Sequence, residues 1–173
     1  MDLQNKLPTL LNNSTLLLDT NFFIDSYSKQ NRKAYAKLVS DLKRMKVSFT
    51  SISFVKYEFI RSKTIDVVRE KERHFHEIVE YELPYDPAID KLIIPTIEDY
   101  KQYMEGLSLT DLILATCLKR YHNLFLLTRD HTDFPTSIFT REHVFNIEDF
   151  KEKIYAIYSY KPKKTILEEE IPF

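Results

Sequence analysis

Four carboxylic acids occupy positions where a chain of this pattern can do chemistry. Asp19 closes the apolar run Leu16-Leu17-Leu18, and Asp130 comes two residues after Thr128, the end of the run that starts at Leu124. Runs of this length suit strands buried on both faces, and open parallel α/β sheets bind ligands beyond the carboxyl ends of their strands. Glu58 lies between Tyr57 and Phe59-Ile60, and Asp111 opens the most apolar helical stretch of the chain. Each acid has a plainer reading on its own. The two aspartates after strands can be turn formers or caps, Asp111 a partner of a helix dipole, and Glu58 a solvated residue or an ion pair with Lys56 or Arg61. Taken together they say more. Two unit charges ~4 Å apart repel by about 4 kcal/mol at an effective dielectric near about 20, so such a cluster stays ionised only when cations neutralise it. Donors that are all oxygen favour hard Mg²⁺ or Mn²⁺ over Zn²⁺. A divalent ion held by carboxylates, with water positions left open, is suited to phosphodiester hydrolysis: it polarises a phosphoryl oxygen, generates hydroxide and stabilises the leaving oxygen.

The pattern around these acids predicts the elements that must carry them. A strand runs from Thr15 to Leu18. Tyr35, Leu38, Val39, Leu42 and Met45 recur at helical spacing between Asn31 and Met45, and Val47 to Thr50 alternates like a strand. A helix bearing Phe54, Tyr57, Glu58 and Ile60 starts near Ser51 or Ser53, either of which can cap it. Ile65, Val68, Phe75 and Val79 predict a further amphipathic helix. Pro84, Pro87 and Pro95 punctuate a loop with one short helix before Gly106. Ser108 caps a buried helix reaching Tyr121, with Asp111 three residues on as in a capping box. Leu124 to Thr128 is a second buried strand, an edge strand lies between Ile138 and Ile147, and Phe150, Ile154, Ile157 and Tyr158 mark a final helix. Strands alternating with helices predict an α/β fold with a mainly parallel sheet.

Composition narrows the function. The 173 residues suit one domain, taken as 1–160, followed by a flexible tail at 161–173. With a net charge of -1, nucleic-acid binding would need a local group of Lys and Arg. Gly106 is the single glycine, which excludes Gly-rich phosphate loops. Cys117 is the single cysteine and sits in an apolar run, so it reads as a core residue with no disulfide or metal partner. No stretch approaches the ~18–20 apolar residues of a membrane span, and Met1 to Thr15 lacks the pattern of a secretory signal; the expected location is the cytoplasm.

At four places the chain resembles the PIN-domain nucleases. LLLDTNFFID resembles their first motif, TSISFVKYEF the second, GLSLTDLILATC the third and LLTRDHTDFP the fourth, in order, from Leu16 to about Phe150. The resemblance implies a three-layer α/β/α sandwich and RNA cleavage dependent on Mg²⁺ or Mn²⁺. Asp19, Glu58, Asp111 and Asp130 would be the catalytic acids and metal ligands, with Asp133 the competitor for the fourth place. Thr20, Asn21 and Thr128 match positions that orient the acids or bound water. Arg129 and His131 beside Asp130, and Arg61 and Lys63 after Glu58, could hold RNA phosphates. Many members are VapC-type toxins, which implies an antitoxin protein and a homodimer as further partners. The chain departs from small toxins in starting its first strand near Thr15 and in its extra residues after Tyr160. Other readings are a non-catalytic PIN-fold scaffold for RNA or protein, a housekeeping RNA-processing nuclease, and a phosphotransferase with Asp19 as nucleophile. The last would place a second Asp at the position of Asn21.

Overall fold

Leu16, Leu17 and Leu18 are fully buried because strand β1 (Thr15–Leu18) runs between two parallel neighbours, β2 (Ser48–Ile52) and β4 (Leu124–Thr128). The structure, a computed structural model, describes residues 8–147 and 153–161. With β3 (Tyr81–Leu83), β5 (Phe139–Ile147) and β6 (Lys153–Tyr160) the strands form one six-stranded sheet of order β3-β2-β1-β4-β6-β5. The first four are parallel, whereas β6 runs antiparallel to β4 and to β5. From β1 the chain steps outward to β2 and β3, then crosses back to lay β4 on the other flank of β1. The strand order therefore reverses between β1 and β4, and the crevice beyond their carboxyl ends is the place where such sheets bind ligands.

Connectivity brings three helix starts to that edge. Helix α1 (Thr20–Tyr27) leaves β1 there and α3 (Ser53–Ile60) leaves β2 there. Helix α6 (Leu109–Arg120) leads into the parallel strand β4, so it runs against the strand direction and also begins at the same edge. The remaining helices are α2 (Arg32–Arg44), α4 (Ile65–Ile78) and α5 (Pro87–Tyr100). Helix α1 packs on α2, α3 and α4, while α5 packs along α6 and α6 lies on β4 and β6. This is an α/β fold with a mixed, mostly parallel sheet. No helix among the described residues is long and apolar enough to cross a membrane.

Packing fixes where α1 and α3 meet. Phe22 and Phe23 of α1 are fully buried. The Phe23 ring lies 5.5 Å from Phe59 of α3 and 4.7 Å from Phe75 of α4. Aromatic pairs at such separations contribute about 0.5–1.5 kcal/mol beyond their area. Phe59 is the neighbour of Glu58, so this cluster sets the approach of Glu58 to the start of α1. On the other side, Lys119 of α6 bonds Asp99 of α5 at 2.8 Å and Arg120 bonds Asp86.

Three expectations need correction. The residues expected as a final helix form strand β6, in which Tyr155, Ala156, Ile157 and Tyr158 are all buried. Four consecutive buried residues fit a strand covered on both faces; apolar spacing at 154, 157 and 158 fits a helix equally, and the β-branched and aromatic side chains decide for strand. Phe150, like the tail from residue 162, lies outside the described residues. The proline-punctuated stretch holds a 14-residue helix, α5, instead of one short helix in a loop. Pro87 stands at its start, where a missing N–H costs nothing, and the Asp86 carboxylate accepts the Ala88 and Ile89 amides at 2.9 and 3.0 Å. Pro95 lies inside the helix, held there by burial of Ile89, Thr96 and Tyr100. Neither Ser51 nor Ser53 caps α3. Ser51 lies in β2, and its hydroxyl donates to the Leu18 carbonyl at 2.8 Å, clamping β2 to the end of β1. The Ser108 cap of α6 is present, accepting the Asp111 amide at 3.1 Å, and Cys117 is a buried core residue, as expected.

Candidate functional site

Asp19 is the first residue past β1 and only 5% exposed. Its amide bonds the Leu127 carbonyl of β4 at 3.4 Å, which continues the β1–β4 ladder one residue into the crevice. One carboxyl oxygen accepts the Thr20 amide, so Asp19 caps α1. The other accepts the Thr128 hydroxyl at 2.6 Å and the Asn21 side-chain amide. Burial raises the carboxyl from 3.8 to about 7; the charges of Asp111 and Asp130 push the same way, against the hydrogen bonds from Thr128 and Thr20.

Thr128 is the hub of the crevice. Fully buried at the end of β4, it donates to Asp19 and accepts from the Asn21 side chain and from the Asp130 amide, both at 2.9 Å. One hydroxyl thus sets the acid after β1 and the turn that carries the acid after β4. The Asp130 carboxyl accepts the Thr132 amide and hydroxyl at 3.2 and 2.8 Å, an Asx turn that shapes the loop.

Glu58 is exposed yet held at both oxygens, by the Thr20 hydroxyl of α1 at 2.7 Å and the Thr110 hydroxyl of α6 at 2.6 Å. It spans the two helices that flank the crevice. The plainer reading of Glu58 as a partner of Lys56 does not hold: Lys56 pairs with Glu82 at 3.0 Å and Glu72 at 3.9 Å. Asp111, in the first turn of α6, accepts the Ser108 hydroxyl. Burial raises its carboxyl, and the charges of Asp130 and Glu58 add to that.

Asp133 joins this group. Its carboxyl is raised to about 6, first by burial, then by the charges of Asp130 and Asp111 and hydrogen bonds with both. Its backbone carbonyl accepts the Tyr100 hydroxyl at 2.7 Å, and this bond braces the loop. Asp133, expected as the competitor of Asp130, thus braces the loop through its backbone while its side chain lies among the acids.

The crevice therefore brings together Asp19, Glu58, Asp111, Asp130 and Asp133 with Thr20, Asn21 and Thr128. Arg129 stands beside them, its amide on the Asn21 carbonyl oxygen at 3.4 Å and its Nε on Asp25 at 3.0 Å. His131 is turned to the Tyr158 hydroxyl at 2.9 Å. Arg61 and Lys63 are exposed, and among the described residues neither pairs with an acid. Thr110 is the functional residue that sequence reasoning missed; a second hydroxyl between Ser108 and Asp111 was the available signal. Among the described residues no three His, Cys, Asp or Glu side chains already stand as a ligating group. The donor set is nonetheless all oxygen, two of its acids standing at helix N-termini whose positive ends favour anions, and it fits a hard divalent cation.

No family model matches the chain, and neither does any curated protein or solved structure. What the site can do follows from its own chemistry. Five acids to which no basic side chain is bonded among the described residues can hold a hard cation or exchange protons. Neither capacity requires a nucleotide cofactor, for which the chain carries no glycine loop.

Proposed function

We propose that this chain is a metal-dependent endoribonuclease of the PIN type, with helices on both faces of its sheet. The observation that carries the reading is the convergence of five carboxyls from four separate segments on the β1–β4 crevice, with Asp19 buried and pushed up to about 7. Such a group destabilises the fold unless a cation is present, so it is retained for function and not for stability. Asp19, Asp111, Asp130 and Asp133 would hold Mg²⁺ or Mn²⁺, which when bound activates water and screens the phosphate. Thr128 and Asn21 fix the direction of the Asp19 carboxylate. Thr20 and Thr110 fix Glu58 as the remaining acid facing the substrate. Arg129 offers a cation to the phosphate chain. The resemblance adds an antitoxin that covers the acids, a homodimer and a toxin's role, and the sequence pattern adds a cytoplasmic location.

The test is cleavage of an RNA oligonucleotide by purified protein. We expect activity in Mn²⁺ or Mg²⁺ that stops in EDTA and falls at least about a hundredfold in Asp19→Asn and Asp111→Asn, both still folded. Full activity in EDTA defeats the reading. For the toxin role, expression should slow growth and Asp19→Asn should relieve it. A non-catalytic scaffold draws on the lack of a preformed ligating group among the described residues; RNA binding with no cleavage at any Mn²⁺ concentration would select it.

A further inference from the structure

Next to the acids lies a second charged group, of which the proposed chemistry uses Arg129 alone and leaves the buried Asp25 unexplained. Asp25 of α1 is 3% exposed, and its carboxylate meets two cations. One oxygen accepts Lys153 Nζ, and the other forms an ion pair with the Arg129 guanidinium, whose Nε lies 3.0 Å away. The hydroxyls of Tyr155 and Tyr35 also donate to it, at 2.8 and 3.3 Å. Lys153 and Tyr155 are two apart on β6, so the strand presents both to the same face. A buried carboxylate without partners would be strongly destabilising, and here one carboxylate is matched by two cations, which leaves a positive charge in surplus.

That surplus has a direction. Arg129 binds Asp25 through Nε, its side chain remains 44% exposed, and among the described residues its terminal nitrogens have no partner. A guanidinium held by one ion pair and still partly exposed keeps terminal nitrogens that can take a phosphate by two parallel bonds. Arg129 is one residue before Asp130, and the same group reaches the acids through Asn21, whose side chain accepts the Arg129 amide at 3.4 Å and donates to Asp19.

We propose that Arg129 is a phosphate-binding residue for a phosphodiester chain lying across the acid crevice, and that Asp25 is its positioning residue. This rests on the ribonuclease reading and adds to it a subsite for a phosphate neighbouring the one attacked. Lys153 neutralises Asp25 from the far side, so that Arg129 keeps its charge for the ligand.

The sign of one substitution separates positioning from simple charge. Asp25→Asn removes a negative charge beside the crevice, so an electrostatic role alone makes RNA bind more tightly. Positioning makes RNA bind more weakly, because the guanidinium is released. Affinity is read by fluorescence anisotropy with a short single-stranded RNA in EDTA, where cleavage is absent, and KM and kcat are read in Mn²⁺. Arg129→Gln should weaken binding about tenfold, reduce the salt slope by about one, and raise KM more than it lowers kcat. Asp25→Asn should weaken binding about fivefold, and in an Arg129→Gln background it should add nothing, since it acts through Arg129. Arg129→Gln changes a side chain that is 44% exposed and folds regardless of what Asp25 contributes to the core. Unchanged affinity in Arg129→Gln, or tighter binding in Asp25→Asn, overturns the subsite and leaves the nuclease reading standing. Wild-type protein that binds RNA through Arg129 but never cleaves it defeats the nuclease reading alone. Wild-type protein that binds no RNA ends both.

Discussion

Replacing Asp19 by Asn should stabilise the metal-free protein at alkaline pH and do nothing of the kind in acid. The Asp19 carboxyl is raised from 3.8 to about 7. The folded state therefore keeps a proton that the unfolded chain has already released, and stability falls as pH rises through that interval. Each pH unit is worth about 1.4 kcal/mol, so the full crossing costs roughly 4 kcal/mol. Asn carries no charge but supplies one acceptor where Asp19 supplies two, one for the Thr20 amide and one for Asn21 and Thr128. A lost acceptor costs about 1–3 kcal/mol. The net gain at pH 8 is then about 2 kcal/mol, which for a chain of this length is roughly 4–8 °C in melting temperature. Near pH 4 the folded state holds the proton and the unfolded chain is only about half ionised, so little of the gain remains and Asn is equal or slightly worse. The assay is thermal denaturation by circular dichroism in EDTA from pH 4 to 8, with and without the substitution. Adding Mn²⁺ should raise the melting temperature of the wild type and not of the variant. A wild-type melting temperature that rises steadily from pH 4 to 7 in EDTA would refute the reasoning, since burial of Asp19 requires the opposite slope.

Other outcomes follow from single contacts. Thr128→Val removes the hydroxyl that Asp19 receives, so the Asp19 carboxyl should rise further in a ¹³C NMR titration and stability should fall by about 1–3 kcal/mol. Asp133→Asn removes an acid from beside Asp111 and Asp130; it should weaken Mn²⁺ binding by calorimetry, whereas a purely bracing residue would leave that binding unchanged. Burial pushes the Cys117 thiol up to about 12, so an alkylating reagent at pH 8 should modify it only after denaturation, and fast modification of the native protein would contradict the fold.

The legible parts of the fold were those buried on every side. β1, β4 and α6 are continuous apolar runs, and such runs keep one meaning when neighbours cover both faces. Asp19, Asp111 and Asp130 were visible because each terminates or opens such a run. β6 was not, because residues 154, 157 and 158 satisfy a helical spacing and only pairing with β4 and β5 makes the strand. The place of Asp133 depends on how the loop folds back onto Asp111, which spacing alone does not encode. The ties of Glu58 to Thr20 and Thr110 join residues 38 and 52 apart in the chain. The Asp25 group was hidden for the same reason as β6: Lys153 and Tyr155 share a face only in a strand.

The central place of β1 also governs how the molecule is made. β1 leaves the ribosome first among the strands, but the Thr128 hydroxyl that Asp19 needs is encoded 109 residues later. At ordinary rates of translation that gap lasts roughly 5–20 s, during which one flank of Leu16 to Leu18 has no strand beside it. Throughout that time Asp19 is an ordinary solvated carboxylate, and Asp111, Asp130 and Asp133 are not yet gathered around it. The acids can gather only once β4 lies beside β1, so a half-made chain exposes an apolar strand but carries no acid cluster.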